Sequence, residues 1–169
     1  MFKPLTVNLP YPTLDDITED KRSAVILCSA YAGSHGELNA ILQYIYHYFY
    51  FKKLGKNDCA NTAVSIALAE MIHLETLGEL LLKLGADPIY ATITPFGRDF
   101  YCADNVSYGN QFEKMLMDDI SGELVAIDCY ERILRLIKNQ KVSAIISRIK
   151  IDEELHVKAL KQLLSEKGI

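Results

Sequence analysis

Two short segments of the chain place a carboxylate and an imidazole three residues apart. The two pairs are Glu70 with His73 and Glu153 with His156. In a helix, residues at this spacing lie on one face, and in both segments that face also carries apolar residues. A carboxylate and an imidazole in an apolar core are costly unless a partner satisfies them, and a metal ion is such a partner. Chance gives about 0.3 such pairs at this composition, so two pairs predict a metal site.

Two single glutamates, Glu37 and Glu123, are centred on the apolar stripes of two other helical segments. Together the four segments offer four carboxylates and two imidazoles. A carboxylate can bridge two metal ions and an imidazole cannot, so Glu70 and Glu153 are predicted to bridge a pair of ions. Glu37 and Glu123 would each complete one ion. Four carboxylates neutralise two divalent ions, and iron or manganese suits this donor set better than zinc.

The helices that position these residues can be delimited from their periodicity and stop signals. The first is predicted from the N-cap Thr18 to Leu54, with Gly55 as its stop. The second is predicted over residues 58–84, with Asn57 as its cap and a glycine directly after it. Each of these two helices carries one part of the predicted site.

The third helix is predicted from the cap Asn110 to Lys138, and the fourth over residues 142–166 after a tight link. Residues 85–109 show no helical period and are long enough to run the height of a bundle. The order of hairpin, long crossover and hairpin predicts an all-α four-helix bundle with one long crossover between helices 2 and 3.

The remaining part of the chain is an N-terminal arm, residues 1–17, which holds three of the five prolines and is predicted to be extended. It could pack on its own bundle or on a neighbouring subunit. Residues 1–169 are predicted to form a single domain, since the length suits one core. Aromatic residues crowd positions 44–51 on more than one helix face, which predicts a homo-oligomer.

Composition excludes several classes of function. The net charge of −4 gives no basic surface, so no nucleic acid partner is expected. No apolar run is long enough for a membrane helix or a signal peptide, so a cytoplasmic protein is expected. The four cysteines form no C-x-x-C pair, and they are predicted to be structural: three lie in helical patterns, where a thiol usually packs as a small buried hydrophobe. His35 and His47 have no glutamate three residues before them and are predicted not to bind metal.

These motifs resemble those of the ferritin-like di-metal carboxylate superfamily. Residues 37–44, with His47 following, are similar to the first-helix signature of bacterioferritins, and residues 70–73 resemble the second-helix signature of bacterioferritins, rubrerythrins and manganese catalases. The resemblance implies that Tyr44 hydrogen-bonds a ligand carboxylate, although a tyrosine that only packs would look the same. Met71 stands where bacterioferritins ligate haem, but methionines at helix surfaces more commonly pack, and haem is not expected.

The chain also departs from each of these groups. It lacks the four-cysteine iron module of rubrerythrins, and Ala126 and Ile127 replace their extra third-helix carboxylate. Only 13 residues follow His156, too few for the fifth helix of bacterioferritins, so a closed storage cage is not expected. The resemblance therefore implies a di-iron or di-manganese oxidoreductase that uses hydrogen peroxide or dioxygen, with an unidentified electron donor if one is needed. The alternative is an iron-binding ferroxidase or storage protein of the bacterioferritin type.

Overall fold

A computed structural model describes residues 2–166 of the chain. Met1 and residues 167–169, the outermost parts of the predicted arm and domain, lie outside the described residues. The helices and strands, in chain order, are α1 (Lys21–Ala32), α2 (Glu37–Lys53), α3 (Asn57–Lys83), β1 (Ala91–Thr94), β2 (Gly97–Phe100), α4 (Phe112–Leu136) and α5 (Gln140–Glu166), with a short 3-10 helix at Ala103–Asn105. The predicted helical bundle with a long crossover is confirmed.

The bundle is built from two helical hairpins. Residues 54–56 join α2 to α3, and residues 137–139 join α4 to α5. Links this short make the joined helices antiparallel neighbours, and the α2–α3 and α4–α5 contacts are the most extensive in the structure. Helices α1 and α2 both contact α3 and α4, so together they occupy one of the four positions in the bundle.

The prediction of one continuous first helix from residue 18 to 54 was wrong. It is interrupted after Ala32 and restarts at Glu37. A Cβ added at Gly33 would lie 2.4 Å from the carbonyl oxygen of Ser29, and one at Gly36 would lie 2.5 Å from that of Ala30. The chain turns back on itself too closely there for a side chain, so the two glycines permit a break directly before the first predicted ligand.

Three of the predicted caps were also wrong. Asp20, and not Thr18, caps α1, and its carboxylate accepts from the backbone N–H groups of Arg22 and Ser23. Helices α3 and α4 have no side-chain cap, because Asn57 is already the first residue of α3 and Asn110 lies one position before the N-cap residue of α4. The preference for Asn near the N-terminus of a helix does not determine which residue is the N-cap.

The crossover contains a β-hairpin that the sequence analysis did not predict. Strands β1 and β2 pair antiparallel with Ala91 opposite Phe100 and Thr94 opposite Gly97. The tight turn at Gly97 has a φ of +126°, which favours glycine. The hairpin packs on α1 through β1, where Ala91 is fully buried, while every residue of β2 is exposed.

The arm packs on its own bundle. Residues 2–20 contain no helix or strand, and the backbone N–H of Leu5 donates to the carbonyl oxygen of Ser65 in α3 at 2.9 Å. The Arg148 side chain in α5 donates to the carbonyl oxygens of Val7 and Leu9 at 3.0–3.1 Å. These contacts fix the arm along α3 and α5, the two helices that carry the Glu-x-x-His pairs.

Two apolar clusters form the core and leave a polar layer between them. One cluster contains apolar residues from the C-terminal end of α3, among them Leu77 and Leu81, and from the N-terminal half of α5, among them Ile145 and Ile149. The other contains apolar residues from Cys59 to Ala67 of α3 with Leu160 and Leu163 of α5. The six predicted ligands lie between the clusters at mid-height. Burial of apolar surface above and below fixes their backbone positions, since packed cores resist displacement.

Candidate metal centre

The structure brings all six predicted ligands together. They form two groups, each with ligand atoms within 4.8 Å of one another: Glu37, Glu70, His73 and Glu153 in one, and Glu70, Glu123, Glu153 and His156 in the other. Glu70 and Glu153 belong to both groups. All six side chains are at most 4% exposed. Two overlapping groups that share two carboxylates form the arrangement required for two bridged ions.

In the first group, Nδ1 of His73 faces three carboxylates. It lies 2.9 Å from Oε2 of Glu70, 3.1 Å from Oε1 of Glu153 and 3.7 Å from Oε2 of Glu37. One N–H can donate well to only one of these oxygens. A metal ion in the same place can accept lone pairs from all of them at once.

The second group repeats this geometry around His156. Its Nδ1 lies 3.0 Å from Oε1 of Glu70, 3.2 Å from Oε2 of Glu153 and 3.5 Å from Oε2 of Glu123. The two imidazole rings are stacked with centroids 6.0 Å apart. Each shared glutamate therefore places one oxygen near each histidine, as a carboxylate that bridged two ions would have to do.

Unsatisfied oxygens support the same interpretation. Oε1 of Glu70 and Oε1 of Glu153 are buried, and although each lies 3.0–3.1 Å from a histidine Nδ1, neither makes a contact of hydrogen-bond geometry with a described residue. Buried carboxylate oxygens in folded proteins are nearly always hydrogen-bonded or bound to a cation. The donor set, four carboxylates and two imidazoles, fits two divalent ions of iron or manganese in number, chemistry and charge.

Protons balance the charge of the buried cluster when no ion is bound. Burial, with the charges of Glu70 and Glu153, raises the pKa of Glu37 well above its usual range, and burial with the charge of Glu153 does the same for Glu123. Burial opposes the charged form of His73, but the carboxylates around it prevail and raise its pKa well above 6.5.

The two shared glutamates behave in the opposite way. Burial would raise the pKa of Glu70, but a hydrogen bond from Glu37 and the two imidazolium charges hold it well below its usual range. The pKa of Glu153 is lowered by His73 and His156 against burial and the charge of Glu70. In the metal-free cluster, the shared Glu70 and Glu153 therefore favour the charged carboxylate form, and Glu37 and Glu123 favour the protonated form.

Two tyrosines hold the outer glutamates in a crossed arrangement. The hydroxyl of Tyr44 in α2 donates to Oε1 of Glu123 in α4, and the hydroxyl of Tyr130 in α4 donates to Oε1 of Glu37 in α2. Each tyrosine lies seven residues after a glutamate on its own helix, so both side chains point to the same mid-height layer. Both phenols are at most 2% exposed. The contact implied by resemblance for Tyr44 is present, and Tyr130 has an equivalent one.

Asp152 and the arm hold the back of His73. Nε2 of His73 lies 3.2 Å from Oδ2 of Asp152, and the other side of this carboxylate accepts from the backbone N–H of Val7 at 2.7 Å. Arg148 and the Tyr11 hydroxyl also contact Oδ2, at 2.7 Å and 2.5 Å. Burial by itself would raise the pKa of Asp152, but these contacts together lower it to about 2.

His156 is oriented by backbone instead of a carboxylate. Its Nε2 lies 2.8 Å from the carbonyl oxygen of Leu5, which can only accept a hydrogen bond. Nε2 therefore carries a proton, and Nδ1 is the nitrogen that faces the glutamates and would bind an ion after losing its own proton. Both histidines offer Nδ1 to the centre, with the arm behind each of them.

A cavity of about 220 Å³ leads to the centre between α2 and α4. Its walls include Glu37, Glu70, Glu123 and Glu153, and its outer part includes Asn105 and Ser107 from the crossover. The small side chains of Ala40, Gly122 and Ala126 keep it open. A molecule of the size of hydrogen peroxide can therefore reach the carboxylates from this side.

The other residues considered in the sequence lie away from both groups. Met71 is 45% exposed on the outer surface of α3, and haem ligation by it stays untested. His35 lines the outer cavity wall, and His47 is fully buried outside both groups. Cys28 and Cys59 are buried, Cys129 is half-buried and Cys102 is exposed.

The polar residues that surround the predicted ligands were not predicted from the sequence. Asp119, Tyr130, Arg148 and Asp152 are all at most 5% exposed, although charged side chains are usually solvated. The repeat of Glu-x6-Tyr at Glu37–Tyr44 and Glu123–Tyr130 was a signal available for one of them. Asp119 and Asp152 carried no comparable pattern.

The chain belongs to the ferritin-like domain family. The pattern of this family matches residues 34–167, which is most of the chain and includes all six predicted ligands. The expected ferritin-like fold is thereby confirmed. No curated protein matches the sequence. None of the described helices is long and apolar enough to span a membrane.

Solved structures show the same fold in two kinds of protein. The manganese catalase KatB from Anabaena superposes with a TM-score of 0.84 at 21% identity, over 95% of this chain and 79% of that one. The bacterioferritin from Rhodobacter capsulatus superposes with a TM-score of 0.74 at 22% identity, over 89% of this chain and 88% of that one. The Desulfovibrio desulfuricans bacterioferritin gives 0.74 at 21% identity, over 88% and 81% of the two chains.

Proposed function

We propose that this protein is a di-iron or di-manganese oxidoreductase that acts on hydrogen peroxide or dioxygen. The observation that carries the proposal is the pair of four-residue groups that share Glu70 and Glu153. The similarity to a manganese catalase over 95% of the chain supports it. Two ions bound there would supply the two-electron redox chemistry that no protein side chain offers at this site.

The residues of the chain have separate roles in this proposal. Glu70 and Glu153 would bridge the ions, Glu37 with His73 would complete one ion, and Glu123 with His156 would complete the other. Four carboxylates neutralise two divalent ions, which makes the charge tolerable in a buried layer. The cavity between α2 and α4 admits the oxidant on the side opposite the two histidine-bearing helices.

A second candidate is an iron-binding ferroxidase or storage protein of the bacterioferritin type. Two bacterioferritins superpose on at least 88% of this chain, with the same TM-score of 0.74. Storage requires a closed shell of many subunits, whereas an enzyme of this size needs only a small oligomer. The mass of the particle in solution therefore separates the two candidates, and we expect a small homo-oligomer.

The first experiment measures the metal content of protein purified without added metal, followed by oxygen release from hydrogen peroxide. Two manganese ions per chain with fast oxygen release identify a catalase. Two iron ions with little release identify a ferroxidase or a peroxidase that needs an electron donor. A chain that binds no iron or manganese even after reconstitution refutes the proposal.

A matched pair of variants on α3 tests the ligand assignment. Glu70→Ala removes a residue of both groups, and we expect it to lose most of the bound metal with its helical circular dichroism retained. Glu75→Ala, at an exposed position on the same helix, should keep full metal content. Equal metal in both variants would contradict the assignment of Glu70 as a bridging ligand.

A further inference from the structure

A second buried ionisable cluster lies beside the cavity, outside both ligand groups. Nδ1 of His47 in α2 lies 2.7 Å from Oδ1 of Asp119 in α4. His47 is fully buried and Asp119 is 1% exposed. Asp119 precedes Glu123 by four residues, so their side chains lie on one face, with Cβ atoms roughly 6 Å apart. The pair thus lies next to the metal centre without belonging to it.

Hydrogen bonds fix where the proton of His47 must be. Nε2 of His47 lies 3.0 Å from the carbonyl oxygen of Ser107, which can only accept. Nε2 therefore carries a hydrogen, and the contact between Nδ1 and Asp119 needs a further proton. A neutral imidazole has only one N–H. The His47–Asp119 pair therefore holds one proton between Nδ1 and Oδ1.

The amide of Gln43 secures the same oxygen of Asp119. The backbone N–H of Ser107 donates to Oε1 of Gln43 at 3.1 Å, which sets the orientation of the amide. Nε2 of Gln43 then donates to Oδ1 of Asp119 at 2.9 Å. Oδ1 is thus occupied by two donors, and its carboxylate is held rigidly against α2.

The other oxygen, Oδ2 of Asp119, has no hydrogen-bond partner among the residues that the structure describes. It is buried and makes no hydrogen bond with any described residue, and Asp119 lines the cavity together with Glu37 and Glu123. Burial raises the pKa of Asp119, and the contacts with His47 and Gln43 moderate this effect. A partnerless carboxylate oxygen beside a cavity can exchange a proton with a small molecule inside it.

We propose that Asp119, held by His47 and Gln43, accepts a proton from the oxidant in the cavity and later returns it. This inference rests on the proposed function and adds a catalytic residue to it. When hydrogen peroxide enters, one O–H bond breaks, its electron pair stays on the hydroperoxide anion, and the proton binds Oδ2 of Asp119.

The overall reaction returns this proton without an external acid. Oxidation of one peroxide to dioxygen releases two protons and two electrons, and reduction of a second peroxide to two water molecules consumes the same two protons and two electrons. Asp119 stores one of these protons between the two halves and donates it from Oδ2 to an oxygen that becomes water. General acid–base assistance of this kind contributes about 100-fold or more in rate.

The test compares Asp119→Asn with Asp128→Asn, an exposed position on the same helix. Asparagine keeps the shape but cannot take up a proton. We expect Asp119→Asn to keep full metal content by elemental analysis and to consume peroxide about 100-fold more slowly, with Asp128→Asn unchanged. Asp119→Glu should restore part of the rate. Parent-like turnover or loss of metal in Asp119→Asn would overturn the proposal.

A readout without turnover keeps the two proposals separate. Azide bound to the metal-loaded centre adds negative charge, and a pH-stat should record uptake of one proton by the parent and none by Asp119→Asn. A parent that is inert toward peroxide and dioxygen but takes up this proton would overturn only the proposed function. A parent that takes up none would overturn the role of Asp119, whatever its activity.

Discussion

Oδ2 of Asp152 lies 3.2 Å from Nε2 of His73, on the side of the ring that faces away from the four glutamates. The carboxylate is itself held by Val7, Tyr11 and Arg148. It fixes the ring so that Nδ1 points to the centre. Carboxylates behind metal-binding histidines orient the ring and raise its basicity. The arm therefore contributes to the centre although it supplies none of the six predicted ligands.

Replacement of Asp152 should weaken one half of the centre. Asp152→Asn keeps the volume but removes the negative charge behind His73, so we expect metal affinity of that half to fall about 10–100-fold. Competition with a chelator measures the affinity. Glu154→Gln, at an exposed position of the same helix, is the control and should bind as the parent does. Parent-like affinity in Asp152→Asn would show that the ring is held by packing alone.

Metal loading should release protons. Glu37, Glu123, His73 and His156 all have raised pKa values in the metal-free protein, and each must lose its proton to bind an ion. We expect metal loading to release protons, from carboxyl groups and from imidazolium groups. Titration in a pH-stat counts them. Apparent affinity should consequently fall as pH is lowered, since protons compete with the ions.

The same shifts set the pH dependence of metal-free stability. Above the ordinary values of 4.5 for glutamate and 6.5 for histidine, the folded protein keeps protons that the unfolded chain releases. The free energy of unfolding of the metal-free protein should therefore fall as pH rises from these ordinary pKa values towards the raised values of the folded state. Bound metal replaces the protons, so the difference in Tm between loaded and metal-free protein should widen from about pH 6 to pH 8. A constant difference would contradict the assigned directions.

The crossed tyrosines should be equivalent in effect. Tyr44→Phe removes the donor to Glu123, and Tyr130→Phe removes the donor to Glu37. Loss of a buried hydrogen bond to a carboxylate costs about 1–3 kcal/mol, which chemical denaturation of the metal-loaded protein can measure. Tyr48→Phe is the control, because its hydroxyl makes no hydrogen bond among the described residues. A large effect in only one of the two variants would contradict the symmetry.

The break before α2 should not tolerate a side chain. Gly33→Ala places a Cβ 2.4 Å from a backbone oxygen, so we expect a loss of about 1–3 kcal/mol in the free energy of unfolding. Gly78→Ala in α3 is the matched control, because its new Cβ would lie 3.5 Å from the ring of Tyr31, an ordinary contact. Alanine in a helix is favoured over glycine, so the control should be neutral or slightly stabilised.

The helices and the six candidate ligands could be predicted because their signals are local. Periodicity of 3.6 places Glu70 and His73 on one face whatever the rest of the chain does. An ionisable residue on the apolar stripe of a helix is predicted to be buried, because that stripe faces the core. The break at residues 33–36 was missed because the stripe continues across it, and the hairpin because two four-residue strands carry too little pattern.

The tertiary structure alone decided which residues support the ligands. Asp119 and Asp152 look like ordinary helical acids in the sequence, and their partners His47, Val7 and Tyr11 are 72–145 residues away. Such contacts depend on how helices and the arm pack, and not on any local preference. The sequence determined the bundle and its candidate ligand set, because helical period and burial act within a few turns. Packing determined the cavity, the crossed tyrosines and the role of the arm, because these arise only where distant segments meet.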